Sequence, residues 1–178
     1  MRKIILSVLF FYSVMINAHA GESAKLDPKL AMFEPYLGTW EAVFEEKDGK
    51  PTVVDVSHWE RALNGKALRT LHSINEGAYG GESLVFWDKE KQKIVFFYFT
   101  TADFYTTGEM EVIDDKTFVA YEEVTGESAM SKGITKVKST STLKGDKMEV
   151  ATSYLKHGKW LPPETRTYVR SDKTVKFK

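Results

Sequence analysis

The chain has 178 residues, with 25 lysines and arginines against 25 aspartates and glutamates, four histidines and no cysteine. That balance leaves no electrostatic footprint for nucleic acid, and the lack of cysteine excludes disulfides, thiolate metal sites and a thiol nucleophile. The length suits one domain able to bury a real core.

Residues 1–20 read as an export signal and stay outside the fold argument. Met1-Arg2-Lys3 is a short positive segment, Ile4 to Ile16 is apolar apart from Ser13, and Ala18-His19-Ala20 is a small-x-small cleavage site. The apolar stretch is too short to span a bilayer. No cysteine follows it, so no lipid is attached there and no stable membrane anchor survives cleavage after Ala20. The short basic segment is of bacterial type and points to the periplasm or to secretion. Without Arg2 and Lys3 the balance becomes 23 basic residues against 25 acidic, a net of −2.

Residues 21–37 form a lead-in. Asp27-Pro28 is an N-cap followed by proline at the first helical position. Leu30, Phe33 and Leu37 recur at helical spacing, so a short helix of one or two turns is expected, stopped near Pro35 and laid across one end of the domain.

Residues 38–170 carry about ten strand signals with almost nothing helical between them. The expected strands run over 39–46, 52–63, 66–75, 82–88, 93–101, 104–113, 117–125, 133–143, 147–156 and 160–170. The expected turns include Lys47 to Lys50, Asn64-Gly65 as a two-residue type I′ hairpin, a flexible connection through Gly77, Gly80 and Gly81, and Gly145-Asp146. Short connections at this spacing argue nearest-neighbour antiparallel pairing, and a meander of this length closes into an up-and-down barrel. The fold class is therefore all-β, a barrel of about ten strands with a short N-terminal helix. Residues 171–178 are a basic tail, expected to be loose.

Alternation along the strands says something about the inside. Val53, Asp55, Ser57, Trp59 and Arg61 share one face, opposite Val54, Val56, His58 and Glu60; Leu68, Thr70, His72 and Ile74 share another. Arg166, Tyr168 and Arg170 lie on one side of the last strand. Polar residues on both faces of several strands suit a barrel that holds water or a polar head group. Ile94 to Phe99 is apolar on both faces, and the N-terminal helix is expected to cover its outer side.

Gly38-Thr39-Trp40 after a short helix resembles the G-x-W signature of the calycins, the lipocalin and fatty-acid-binding barrels. The resemblance implies that Gly38 and Trp40 are structural, with the Trp packed under the barrel floor against a basic side chain, here Arg166 or Arg170. Arg166-Thr167-Tyr168 resembles the last-strand Arg-x-Tyr that grips a ligand carboxylate in fatty-acid-binding proteins. His72-Ser73-Ile74-Asn75, Gly77, Tyr79-Gly80-Gly81-Glu82, Tyr98-Phe99-Thr100-Thr101, Gly126, Gly133-Ile134-Thr135 and Gly158-Lys159-Trp160 are similar to a bacterial lipocalin-like family of the DUF1579 type. That similarity implies the barrel; it does not imply an activity. Pro162-Pro163-Glu164 departs from the Pro-Gly-His expected after the final Trp.

The candidate ligand contacts are His72, Asn75, Tyr79, Glu82, Tyr98, Thr100, Arg166 and Tyr168, and the expected ligand is a small hydrophobic, amphipathic or aromatic molecule. For catalysis the candidate is His72 as general base paired with Glu82, whose strands should be neighbours. No nucleophile elbow, phosphate loop, dinucleotide fingerprint or metal-spaced histidine pair occurs. No cofactor is expected; a haem would need His58 or His72 to face the interior, with His157 placed in a turn. A filled barrel that acts through its outer surface is the third reading.

Overall fold

This computed structural model describes residues 25–45, 52–127, 130 and 132–178. Residues 1–20, read above as an export signal, the turn at 47–50 and part of the loop at 126–132 fall outside the described residues.

Ten strands form a closed antiparallel barrel: β1 (Gly38–Glu45), β2 (Thr52–Ala62), β3 (Ala67–Ile74), β4 (Tyr79–Asp88), β5 (Lys93–Thr100), β6 (Tyr105–Val112), β7 (Thr117–Val124), β8 (Ile134–Lys144), β9 (Lys147–Lys156) and β11 (Glu164–Arg170). Each strand pairs with its chain neighbours, and β11 closes the circle between β9 and β1. The two-residue β10 (Lys159–Trp160) continues the β9 hairpin beyond the barrel wall. Closure leaves no long open edge to recruit another chain. The expected final strand, 160–170, is thus two strands. Pro162 and Pro163 break it, because proline offers no N–H to a ladder.

The loop before β3 also differs from expectation. Ala62 pairs with Ala67, leaving four loop residues instead of two, and Leu63, Asn64 and Gly65 take φ of 49°, 53° and 79°. The loop before β4 repeats this pattern: Ile74 pairs with Tyr79, and Asn75, Glu76 and Gly77 take φ of 47°, 59° and 93°. Three consecutive left-handed residues favour glycine and asparagine, and in both loops the left-handed run ends on a glycine.

One end of the barrel is plugged by a 3-10 helix, Pro28–Tyr36, capped by Asp27 Oδ1, which accepts from the Lys29 N–H at 3.0 Å. Its Leu30, Phe33 and Tyr36 are fully buried. Phe33 and Tyr36 meet Phe118 edge-on at 5.1 and 5.2 Å, and Tyr36 lies 5.4 Å from Trp59. Trp40, Leu68, Val85, Phe96, Leu143 and Met148 complete this apolar floor. The Trp40 indole N–H donates to Tyr36 O at 2.7 Å. Arg170 lies 3.7 Å over the Trp40 ring and donates to Leu37 O at 2.5 Å and Pro35 O at 2.7 Å. One guanidinium thereby covers the indole and satisfies two carbonyls that the helix leaves open. Of the two arginines named above, Arg170 makes this contact, and Arg166 does not.

The helix lies inside the barrel end, so it does not cover the outer side of β5. Phe97 and Phe99 there are 40% and 53% exposed, with Phe86 stacked on Phe97 and Tyr105 beside Phe99. The tail, expected to be loose, is docked instead. Ser171 N–H bonds Thr39 O at 3.1 Å, Lys176 N–H bonds Ser73 Oγ at 3.2 Å, and Lys173 and Lys176 pair with Glu41 and Glu76. It runs along the outside of β1 to β3, which accounts for the burial of Ser73 on an outward-facing position.

Candidate functional site

Cross-strand register fixes which residues face inward. Ala42 pairs with Asp55, Asp55 with Ile74, Ser57 with His72, His72 with Gly81 and Ser83 with Tyr98. Directly paired residues share a face, and Trp40, Ala42 and Val85 are buried on that inner face. Asp55, His72, Tyr79, Tyr98, Thr106, Glu122, Tyr154, Arg166 and Tyr168 therefore all point into the half of the barrel away from the plug.

Five of them form a hydrogen-bonded chain. Asp55 is 5% exposed and accepts from the Tyr168 hydroxyl at 2.8 Å through Oδ2. Its Oδ1 lies 3.3 Å from His72 Nδ1. His72 Nε2 lies 2.6 Å from the Tyr98 hydroxyl, which donates to the Tyr79 hydroxyl at 3.2 Å. A carboxylate only accepts, so Nδ1 carries a proton. With Tyr98 donating onward to Tyr79, Nε2 carries one too and the ring is an imidazolium. With Tyr98 donating back to Nε2, the ring is neutral. The chain thus has two arrangements that differ by one proton on His72.

Desolvation dominates the electrostatics here. Burial, reinforced by the hydrogen bond to Tyr79, pushes the Tyr98 hydroxyl far above its ordinary range. Burial and the neighbouring Asp55 do the same to Tyr168. Tyr79 and Tyr154 are raised by burial as well. All four hydroxyls stay protonated as hydrogen-bonding groups. Glu122 is also raised, again by burial first; Thr106 and His72 act against the shift and do not cancel it.

The sequence reading paired His72 with Glu82, and the register overturns that. His72 is opposite Gly81, so Glu82 is one residue on and faces outward. There it takes a two-pronged hydrogen bond from Arg69 Nε and an Arg69 terminal nitrogen, both at 2.8 Å. Asp55 stands in its place beside His72. Asn75 does not face the interior either: it sits in an exposed turn and accepts from Val54 N–H at 2.9 Å. The Thr100 hydroxyl is engaged with Phe104 O at 2.9 Å in the β5–β6 turn. Arg166 faces inward and lies 4.0 Å over the Phe44 ring. The hydroxyl of its neighbour Tyr168 is already engaged as a donor to Asp55. Gly81 admits no ligand backbone: the Tyr98 ring and the Phe99 carbonyl fill the space that a Cβ would need.

Haem does not suit these histidines. His58 faces outward and bonds Thr39 Oγ1 at 2.8 Å, His157 is exposed in a turn, and both His72 ring nitrogens are engaged. Asp55, Glu122 and Tyr154 escaped the sequence reading. The signal for Asp55 was its alternation with Ser57, Trp59 and Arg61; Glu122 and Tyr154 gave none, because each lies in a strand whose two faces are both mixed.

The molecule is thus a closed ten-strand antiparallel barrel, plugged at one end by an aromatic floor and lined by polar side chains in the other half. No protein-family model matches the chain, and no curated protein matches it.

Proposed function

We propose that this chain is an exported barrel that binds a small amphipathic or aromatic molecule in its interior. The apolar body rests on the floor of Phe118, Phe96 and Trp59. The polar head meets Tyr79, Tyr98, His72 and Arg166. The observation that carries this reading is the chain Tyr168–Asp55–His72–Tyr98–Tyr79, held by hydrogen bonds and turned inward. A barrel that served only as a scaffold would fill this half with apolar side chains, since polar groups out of water give less stability than hydrocarbon. The resemblance to lipocalin-like families of the calycin and DUF1579 types agrees with this role, and the leader at 1–20 with delivery to the periplasm or the medium.

Native mass spectrometry of the protein taken from its own cells tests both parts. The expected result is a chain beginning at Gly21 that carries a non-covalent mass increment, lost in His72→Ala. Bare protein in every preparation refutes the carrier, and an uncleaved leader refutes export.

A second reading, catalysis, has one observation in its favour: Asp55 orients His72 toward a hydroxyl, as acid–base sites require. It replaces the carrier if the bound molecule is released chemically altered, and if His72→Ala ends that conversion while keeping the molecule bound.

A further inference from the structure

Glu122 is half-buried inside the barrel, and the Thr106 hydroxyl is the hydrogen-bonding group beside it. Glu122 projects inward from β7, between Gly108 on β6 and Val137 on β8, so neither directly paired residue offers it a polar side chain. Thr106 lies diagonally beside it on β6, because Thr106 pairs with Val124. Thr106 is 1% exposed, and its Oγ1 has no hydrogen-bond partner among the described residues. It lies close enough to Glu122 to favour the charged carboxylate without making a bond of ordinary geometry. No described lysine or arginine forms an ion pair with Glu122. His72, the nearest basic group, is held by Asp55 and Tyr98. The hydroxyls of Tyr79, Tyr98 and Tyr154 all feel the charge of Glu122. A half-buried carboxylate with no cation paired to it, beside a buried hydroxyl, is costly unless something completes the pair.

Resting on the interior-binding reading above, we propose that the Glu122–Thr106 corner receives a protonated amine of the ligand, so that the natural ligand is an organic cation with an apolar or aromatic body. A carboxylate accepts hydrogen bonds only, so its complement must be a donor. A cationic nitrogen adds Coulomb attraction that is strong in a desolvated site and that a neutral donor lacks. The aromatic rings of Tyr79, Tyr98 and Tyr154 favour a cation for the same reason. One N–H goes to Glu122, and a second can go to the Thr106 oxygen.

Three probes with one body and different heads test this: 4-phenylbutylamine, 4-phenylbutanol and 4-phenylbutyrate, titrated calorimetrically into the folded protein at pH 7. The amine is expected to bind about tenfold or more tighter than the alcohol, as a charge-assisted hydrogen bond in a desolvated site implies. Glu122→Gln should erase that preference, bringing amine affinity down to about that of the alcohol. Thr106→Val, which keeps the shape, should weaken the amine several-fold. Both variants are expected to fold, since Glu122→Gln removes a desolvated charge with the shape kept and Thr106→Val removes an unsatisfied hydroxyl. If the alcohol or the acid binds as well as the amine, the amine site is overturned while the binding barrel survives. If the amine preference persists in Glu122→Gln, the amine site is overturned too. If none of the three binds, both readings fall.

Discussion

Replacing Tyr168 by phenylalanine removes one oxygen atom from the interior and leaves the ring in place. That oxygen donates to Asp55 Oδ2 at 2.8 Å, between a tyrosine 7% exposed and an aspartate 5% exposed. Water does not easily replace it, so Asp55 is left with His72 as its one hydrogen-bonding neighbour among the described residues. A hydrogen bond to a charged group contributes about 1.5–3 kcal/mol. Phenylalanine recovers a little through easier desolvation, and no cavity larger than a hydroxyl forms. The expected cost is about 2 kcal/mol, which for a domain of this size lowers Tm by roughly 4–8 °C. Urea denaturation followed by tryptophan fluorescence measures it, with the slope expected to stay constant. Asp55→Asn provides the control. Against a neutral amide the same Tyr168→Phe change should cost about 1 kcal/mol or less, leaving a coupling of about 1 kcal/mol in the double-mutant cycle. A cost below about 0.5 kcal/mol in the wild-type background, or equal costs in both, would refute the claim that this chain of polar groups is held together through Asp55.

Arg170→Ala takes away the cover of Trp40 and the donors to Pro35 O and Leu37 O, and should cost about 2–3 kcal/mol by thermal denaturation, with Arg170→Lys recovering less than half. Gly81→Ala puts a methyl where the Tyr98 ring lies, so it should destabilise by about 2 kcal/mol and weaken interior binding as Tyr98 leaves His72. Glu34 gives a pH test. The Arg61 guanidinium holds its carboxyl below the ordinary 4.5, with Leu26 N–H adding to the effect. A depressed acid stabilises above its unfolded value and loses that contribution as pH falls through the folded one. Glu34→Gln should therefore be less stable than the wild type by about 1 kcal/mol at pH 7, with the gap closed by about pH 2. A gap that persists in acid would contradict the ion pair.

The walls of the barrel were readable because glycines, asparagines and charged pairs mark nearly every hairpin, and because the strands between them seldom exceed ten residues. The plug was readable from Asp27-Pro28 and from Leu30 and Phe33. The interior was harder, for one reason that Glu82 illustrates. Which of Gly81 and Glu82 faces His72 depends on the length of a single loop, and four residues at 75–78 bring Gly81 opposite. One residue fewer or more would have turned Glu82 inward. Loops with three left-handed residues look in sequence like shorter glycine turns, so that parity was not visible. Asp55 shows the complement. Its alternation with Ser57 and Trp59 was plain, yet nothing local says that a strand with acidic residues on both faces buries this one.

The circle of strands is joined where β1 meets β11, through Trp40 opposite Arg170 and Glu41 opposite Val169. These partners stand about 130 residues apart in the chain. Contacts so distant in sequence form late and close slowly. During synthesis the barrel cannot close until Arg170 has emerged, and Arg166 and Tyr168 arrive on that same last strand. A fragment that stops at β9 has most of the wall and no closed interior. The closed interior therefore depends on β11, and losing that strand would erase it whole.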